Sequence, residues 1–176
     1  MVYRWDGDPL IMRFALFLML AIGASFTLAG CGGGARTSVT KPPTAVVHVP
    51  TANVVRDTSG VGYQVEERWL VAFEQTLQNN LYTKDGFTAG KDLTLKWHVV
   101  SGNEGSAAER AFVGMGAGAG EATMEVSFLD ASGTVLATIQ VTGSVNSGWF
   151  GGSYKAAFVN AAIGASDYAK KTYLAR

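Results

Sequence analysis

Residues 122–141 read ATMEVSFLDASGTVLATIQV, and this stretch decides the fold. Ala122, Met124, Val126 and Phe128 alternate with Thr123, Glu125 and Ser127. Beyond a turn at residues 130–133, Val135, Ala137, Ile139 and Val141 alternate with Leu136, Thr138, Gln140 and Thr142. Successive side chains of a strand point to opposite faces, so each run has one apolar and one polar face. Two such runs joined by a short glycine-containing turn predict an antiparallel hairpin with one face on a core.

Working outward, Leu93, Leu95, Trp97 and Val99 alternate with Thr94, Lys96 and His98, a further half-buried strand. Residues 46–49, VVHV, read as a short strand before Pro50, and residues 57–62 as a turn. Within residues 63–81, Val65, Trp69, Ala72, Phe73, Leu77 and Leu81 recur at helical spacing, while Glu66, Glu67, Gln75 and Gln78 fall elsewhere. The run Lys84, Asp85, Gly86 ends that helix. Residues 103–112 contain SAAERAF, one or two helical turns. A last helix spans residues 154–174, with Tyr154, Phe158, Ala161, Ala162, Ala165 and Tyr168 along one face. Ser153 is its cap, and Lys170 and Lys171 suit its C-terminal dipole. The expected fold is α+β: a small, mostly antiparallel sheet with two main helices on one face, as a single domain over residues 46–176.

The N-terminal part is organised differently. Residues 14–28, FALFLMLAIGASFTL, follow Arg13. Fifteen apolar residues are short for a membrane span, which needs about 20. A positive residue, a short apolar run and then small residues describe an export signal, here residues 1–30. The sequence LAGC at residues 28–31 looks like a bacterial lipobox. That resemblance implies cleavage before Cys31 and acylation of Cys31, with the membrane as partner. Buried acyl chains contribute about 0.8 kcal/mol per CH₂, and two or more anchor stably. Gly32 rather than an aspartate follows Cys31, which by the same resemblance implies an outer-membrane lipoprotein facing the periplasm in a Gram-negative cell. Cys31 is the only cysteine, so the fold is expected to rest on its core without an internal disulfide. Residues 32–45, GGGARTSVTKPPTA, have the composition of a flexible linker. Such a segment spans roughly 20 Å and would lift the domain clear of the headgroups.

Four glycines, Gly114, Gly116, Gly118 and Gly120, precede the hairpin. The run GMGAGA formally fits the dinucleotide pattern, but that motif works only where a helix follows and turns its N-terminus to the phosphates. Here a period of two follows, so no nucleotide is expected, and the glycines read as close approach or positive φ beside a strand. Trp149 and Phe150 sit between Gly148 and Gly151 in a second loose segment. The two adjacent aromatics either cap the core or form a contact hot spot on a flexible rim.

From about residue 103 to 174 the order of motifs resembles an uncharacterised bacterial lipoprotein family, domain of unknown function 4410. The matching pieces are AERAFVGMGAGAGEATMEVSFLD, TVLATIQVTG and GWFGGSYKAAFVNAA. In that family an arginine, an aromatic and a glycine loop precede a strand ending in aspartate. The resemblance places these at Arg110, Phe112, residues 114–120 and Asp130, and implies no particular activity.

The chain carries 14 basic and 14 acidic residues, and this balance argues against a nucleic-acid partner. His48 and His98 lack metal-ligand spacing, so no metal or other cofactor is expected. Glu67 and Glu74 share a helix face and read as solvated surface rather than an acid–base pair. No serine lies in G-x-S-x-G, and no catalytic residue is assigned. The expected function is a non-enzymatic interaction or scaffolding module of the envelope. Its candidate partner contacts are Arg110, Gly116, Gly118, Gly148, Trp149 and Phe150, and its partner is another envelope protein. The alternative is a binder of a small envelope ligand, a glycan or lipid fragment, in a groove between helix and sheet; a hydrolase is the third reading.

Asp6 and Asp8 lie where an export signal is normally net positive, whereas a start at Met12 gives MRFALFLML. Translation is therefore expected to begin at Met12. N-terminal sequencing of a precursor held uncleaved by blocking signal peptidase checks this, and a peptide from residues 1–11 overturns it.

Overall fold

The computed structural model describes residues 34–45, 47–59, 63–104, 120–145 and 153–174, all within the unit Cys31–Arg176. Its strands are β1 (Ala35–Lys41), β2 (Thr51–Arg56), β3 (Thr88–Ala89), β4 (Leu93–Asn103), β5 (Glu121–Asp130) and β6 (Val135–Ser144). Its helices are α1 (Glu67–Asn79) and α2 (Lys155–Tyr173). The strands form one six-stranded sheet in the order β1-β6-β5-β4-β2-β3. The pairs β1–β6, β6–β5 and β5–β4 are antiparallel; β4–β2 and β2–β3 are parallel. The α+β fold expected from the sequence is thus the fold observed.

The β5–β6 hairpin is closed by the carboxylate of Asp130. Its Oδ1 accepts hydrogen bonds from the Ser132 amide (2.9 Å), the Ser132 hydroxyl (2.6 Å) and the Thr134 amide (2.9 Å). Gly133 supplies the positive φ of 84° that the turn requires. The Ser132 hydroxyl and the turn amides hold the Asp130 carboxyl below the usual carboxylate range. One correction concerns alternation. Phe128 pairs with Ala137 but Leu129 with Val135, so Leu136 is a bulge residue. Leu136 and Ala137 are therefore both buried, whereas strict alternation places Leu136 on the polar face.

One face of the sheet carries the core. Leu95, Trp97, Met124, Val126, Phe128, Ile139 and Val141 are fully buried beneath the two helices. Phe73 of α1 lies 4.5 Å, centroid to centroid, from Trp97. Phe128 meets Tyr168 and Tyr173 of α2, each at 5.2 Å. Ala157, Ala161, Ala162, Ala165 and Ala169 line the underside of α2, and their small size lets its backbone approach the sheet. Two glycines complete that approach. A Cβ on Gly143 would collide with the Ala157 carbonyl and lie 2.6 Å from the Ala161 nitrogen. A Cβ on Gly164 would lie 2.7 Å from that of Ala35 and 2.8 Å from Val141 Cγ1.

Three expectations are corrected at the N-terminal side. Within the composition-defined linker, Ala35–Lys41 is β1, paired to β6 from Ala35↔Gly143 to Lys41↔Thr138. Its glycine-, threonine- and proline-containing surroundings hide a strand whose seven residues are all exposed, so no apolar face marks it. Of the expected strand at residues 46–49, the described Val47, His48 and Val49 lie outside the sheet, and Val49 makes an isolated parallel bridge to Leu174. The strand lies just beyond Pro50, where Ala52 and Val54 point inward and β2 runs parallel to β4. A parallel pair needs a crossover, and α1 provides it. The helix itself begins at Glu67 rather than residue 63 and continues as a π-helical turn over Asn80–Asp85, ending at Gly86 with φ 95°. The expected helical turns at residues 103–112 fall mostly outside the described residues.

The close approach of α2 has a testable consequence. Gly143→Ala forces backbone against backbone, and overpacking of this kind costs about 1–3 kcal/mol. Gly34→Ala, where a Cβ meets nothing within 4 Å, should leave the urea midpoint unchanged. Equal midpoints for the two variants would overturn the account of α2 packing.

Candidate functional site

The register brings several chain segments to one end of the sheet. Ala35 of β1 pairs with Gly143 of β6, Gly143 with Ala122 of β5, and Ala122 with Gly102 of β4. Beyond this row, the Ser144 amide donates to the Gly34 carbonyl (3.0 Å), and the Val145 amide to the Gly120 carbonyl (2.9 Å). Four stretches therefore leave from this end: the chain before Gly34, residues 105–119 after β4, residues 146–152 after β6, and the start of α2.

Tyr154, at the entry to α2, packs across this end. A Cβ on Gly102 would collide with its hydroxyl, and one on Gly120 would lie 3.1 Å from its Cδ2. Trp69 meets the Tyr154 ring edge-on at 6.0 Å, and Phe158 meets it edge-on at 5.2 Å. Gly120, the last of the four alternating glycines, is thus a close-approach position, and the strand β5 follows it at once. A dinucleotide loop would have opened a helix there. Burial, and then the neighbouring Tyr63 and Glu104, push the Tyr154 hydroxyl up to about 12.

A second feature lies where β2 ends beside β4. Arg56 donates to both carboxylate oxygens of Glu67 (2.7 and 2.9 Å) and to Glu74 (3.2 Å), and its guanidinium sits 5.3 Å from the centre of the Trp97 ring. The two glutamates, read as surface from the sequence, also converge on one arginine, with Glu67 exposed and Glu74 half-buried. Their spacing put them on one face, but the chain gives no local sign of Arg56, which arrives from β2. Beside this cluster, an open cleft of about 320 Å³ lies between the start of α1 and the sheet, lined by Arg56, Tyr63, Gln64, Leu70, Trp97 and His98. Asp57 at its edge pairs with Lys96 at 2.9 Å. The Ser59 hydroxyl, and then Lys96, hold its carboxyl far below the usual carboxylate range.

Cys31, Arg110, Gly116, Gly118, Gly148, Trp149 and Phe150 all lie outside the described residues. His98 lines the cleft and His48 is exposed. Among the described residues no group of three or more His, Cys, Asp or Glu could hold a metal ion, and no helix is long and apolar enough to cross a membrane.

Residues 71–152 match the model of the family described as Domain of unknown function (DUF4410), as the sequence resemblance implied. The match begins inside α1, earlier than the motifs suggested, and stops before α2. No curated protein matches the chain. Among solved structures, the fold is similar to a point variant of the PelC dodecamer from Paraburkholderia phytofirmans, with 16% identity and a TM-score of 0.53 over 80% of this chain and 98% of that one. A second PelC dodecamer from the same organism gives 13% identity and a TM-score of 0.53, covering 82% and 99%. At these identities the likeness is one of fold.

The rim tyrosine yields a pH prediction. A tyrosine in the unfolded chain titrates near pH 10. Raised in the fold, Tyr154 contributes stability that is whole below about pH 10 and lost as the pH climbs toward about 12. Tyr154→Phe should therefore lose less stability than wild type over that window, with Tyr173, also pushed up to about 12, accounting for part of the remaining loss. Urea midpoints across the alkaline range test this, and parallel loss in the two proteins overturns it.

Proposed function

We propose that this chain is a bacterial envelope lipoprotein, anchored through acylated Cys31. It acts as a non-enzymatic interaction and scaffolding module on the periplasmic side of the outer membrane. The observation that carries this reading is where β1 begins. Only four residue steps separate Cys31 from Ala35, a reach of roughly 14 Å when fully extended. An anchor at Cys31 would hold the tether end of the sheet close to the headgroups rather than lifting the domain away. The described residues that flank the glycine loop and the Trp149–Phe150 pair, Glu104 and Gly120 for the first and Val145 and Ser153 for the second, lie at that same end. Adjacent tryptophan and phenylalanine suit a surface that is apolar at one depth and wet at the next. Both PelC neighbours are dodecamers, and the proposal includes association of this chain with further copies of itself.

A second reading is favoured by the cleft beside Arg56. Its volume of about 320 Å³ is at the lower bound for a small-ligand site. The buried Trp97 indole N–H has no partner among the described residues. A glycan fragment, with hydroxyls for Gln64 and His98 and a face for Tyr63, suits this lining.

A photoreactive analogue at position 149, irradiated in cells, tests the first reading. Adducts to lipid or to a discrete envelope protein are expected. Adducts confined to the chain's own core residues overturn the rim assignment, and full release of the wild-type chain into the soluble fraction overturns the anchor.

A further inference from the structure

The sheet has two free edges, and the parity of its hydrogen bonds shows which groups they expose. Because the Ser144 amide bonds to the Gly34 carbonyl, Gly34 and Ser144 form a hydrogen-bonded pair. In an antiparallel ladder such pairs alternate, so Arg36 and Ser38 bond to β6 while Ala35, Thr37 and Val39 turn their N–H and C=O groups outward. On the opposite edge the Asp57 amide bonds to the Trp97 carbonyl, so Asn53 and Val55 face β4 while Val54 and Arg56 face outward. β3 covers this edge only at Thr51 and Ala52. No described strand pairs with β1 on its outer side, or with β2 beyond Ala52 on its own.

The strand directions match. β1 runs antiparallel to β6, and the successive pairings through β5 and β4 leave β1 antiparallel to β2. A second copy placed alongside in the same orientation would bring its β2 edge to β1 in antiparallel sense.

The helix layer matches as well. Beside β1 runs a groove of about 450 Å³ against α2, lined by Ala35, Thr37, Ile163, Asp167, Tyr168 and Lys171. Beside β2, the Arg56 ion pairs place the stripe Glu67, Val71, Glu74 of α1 along the edge. Four exposed aliphatics mark these two edges: Val39 and Ile163 at one, Val55 and Val71 at the other. The charges differ in balance. β1 carries Arg36, paired with Glu121 at 3.3 Å, and Lys41, and the groove behind it holds both Lys171 and Asp167, which leaves an excess of one positive charge. The β2 edge carries Glu67 and Glu74 around the single Arg56.

We infer that a second copy of this chain docks its β2 edge and α1 stripe against β1 and the groove beneath α2, continuing both the sheet and the helix layer. This rests on the proposed self-association and specifies its interface. The contact is head-to-tail, so each added copy leaves the same free edge, and assembly ends only by ring closure. The shift in register between Val39 and Lys41 restricts pairing to the first part of β1, a common way of keeping an edge from open-ended aggregation.

Disulfide trapping in cells expressing the full chain tests the inference. Ser38 pairs with Gln140 and Val55 with Lys96, so both side chains lie on the open polar face. The double variant Ser38→Cys/Val55→Cys, or Arg36→Cys/Val55→Cys in the alternative register, should give a ladder of covalent multimers. Neither single variant should exceed the wild-type chain, whose one cysteine is Cys31. Thr37→Pro removes an outward N–H without touching the bonds to β6, and should abolish the ladder with an unchanged far-UV circular dichroism melt. Should that variant unfold, Ile163→Glu, at an exposed helix position, carries the same expectation. A dimer from Ser38→Cys alone would mean a two-fold β1–β1 contact and overturns the inference. Multimers by light scattering without a ladder in either register overturn this interface and leave self-association standing. A chain that stays monomeric in detergent and gives no ladder in cells overturns both.

Discussion

The architecture depends on how closely the backbone of α2 approaches β6. Gly143 has no side chain beneath Ala157 and Ala161, and Gly164 has none above Ala35 and Val141. With alanines along the rest of its underside, α2 sits low enough for Phe158 and Tyr173 to be fully buried. That depth sets the room left for α1, whose Trp69 stacks on Phe158 at 6.4 Å and whose Phe73 meets Trp97. A larger residue at Gly143 would lift α2 and disturb all of these contacts together, because a close-packed interior has little slack.

The same seating brings the chemistry of the molecule to its margins. Inside, the described polar groups are few: Asn80 and Ser166 are buried, and Asp85 is reached by Lys170 at 3.2 Å. The open sheet face is a ladder of short polar side chains, with Thr123 against Thr142 at 2.9 Å and Ser127 against Thr138 at 3.2 Å. Its threonines and serines satisfy one another. The margins are different. At one end Tyr154 packs against Gly102 and Gly120, and the two lateral edges expose main-chain groups beside aliphatic side chains.

Much of the fold was legible. β4, β5 and β6 each carry a buried face, so their period of two stands out along the chain. The helices are marked in the same way by Phe73 and Leu77, and by Phe158 and the alanine series. What escaped was whatever lacks an apolar period. β1 has no buried residue, and Leu136 turns inward at a bulge that no alternation announces. β2 has only two inward residues and follows a proline. The candidate site was less legible still. Glu67 and Glu74 could be placed on one face of a helix, but not beside Arg56, which comes from another element.

The sequence by itself determined the class of fold, the hairpin at its centre and the resemblance to the DUF4410 family, because these depend on local periodicity and on motifs read in order. Only the tertiary structure decided that β1 is an edge strand starting four residues from Cys31, that three chain segments leave the sheet at the same end as α2 begins, and that Arg56 gathers two glutamates beside a cleft. These are contacts between residues distant along the chain. Pairing across the sheet and close packing of the helices create them, and no single stretch of sequence contains either.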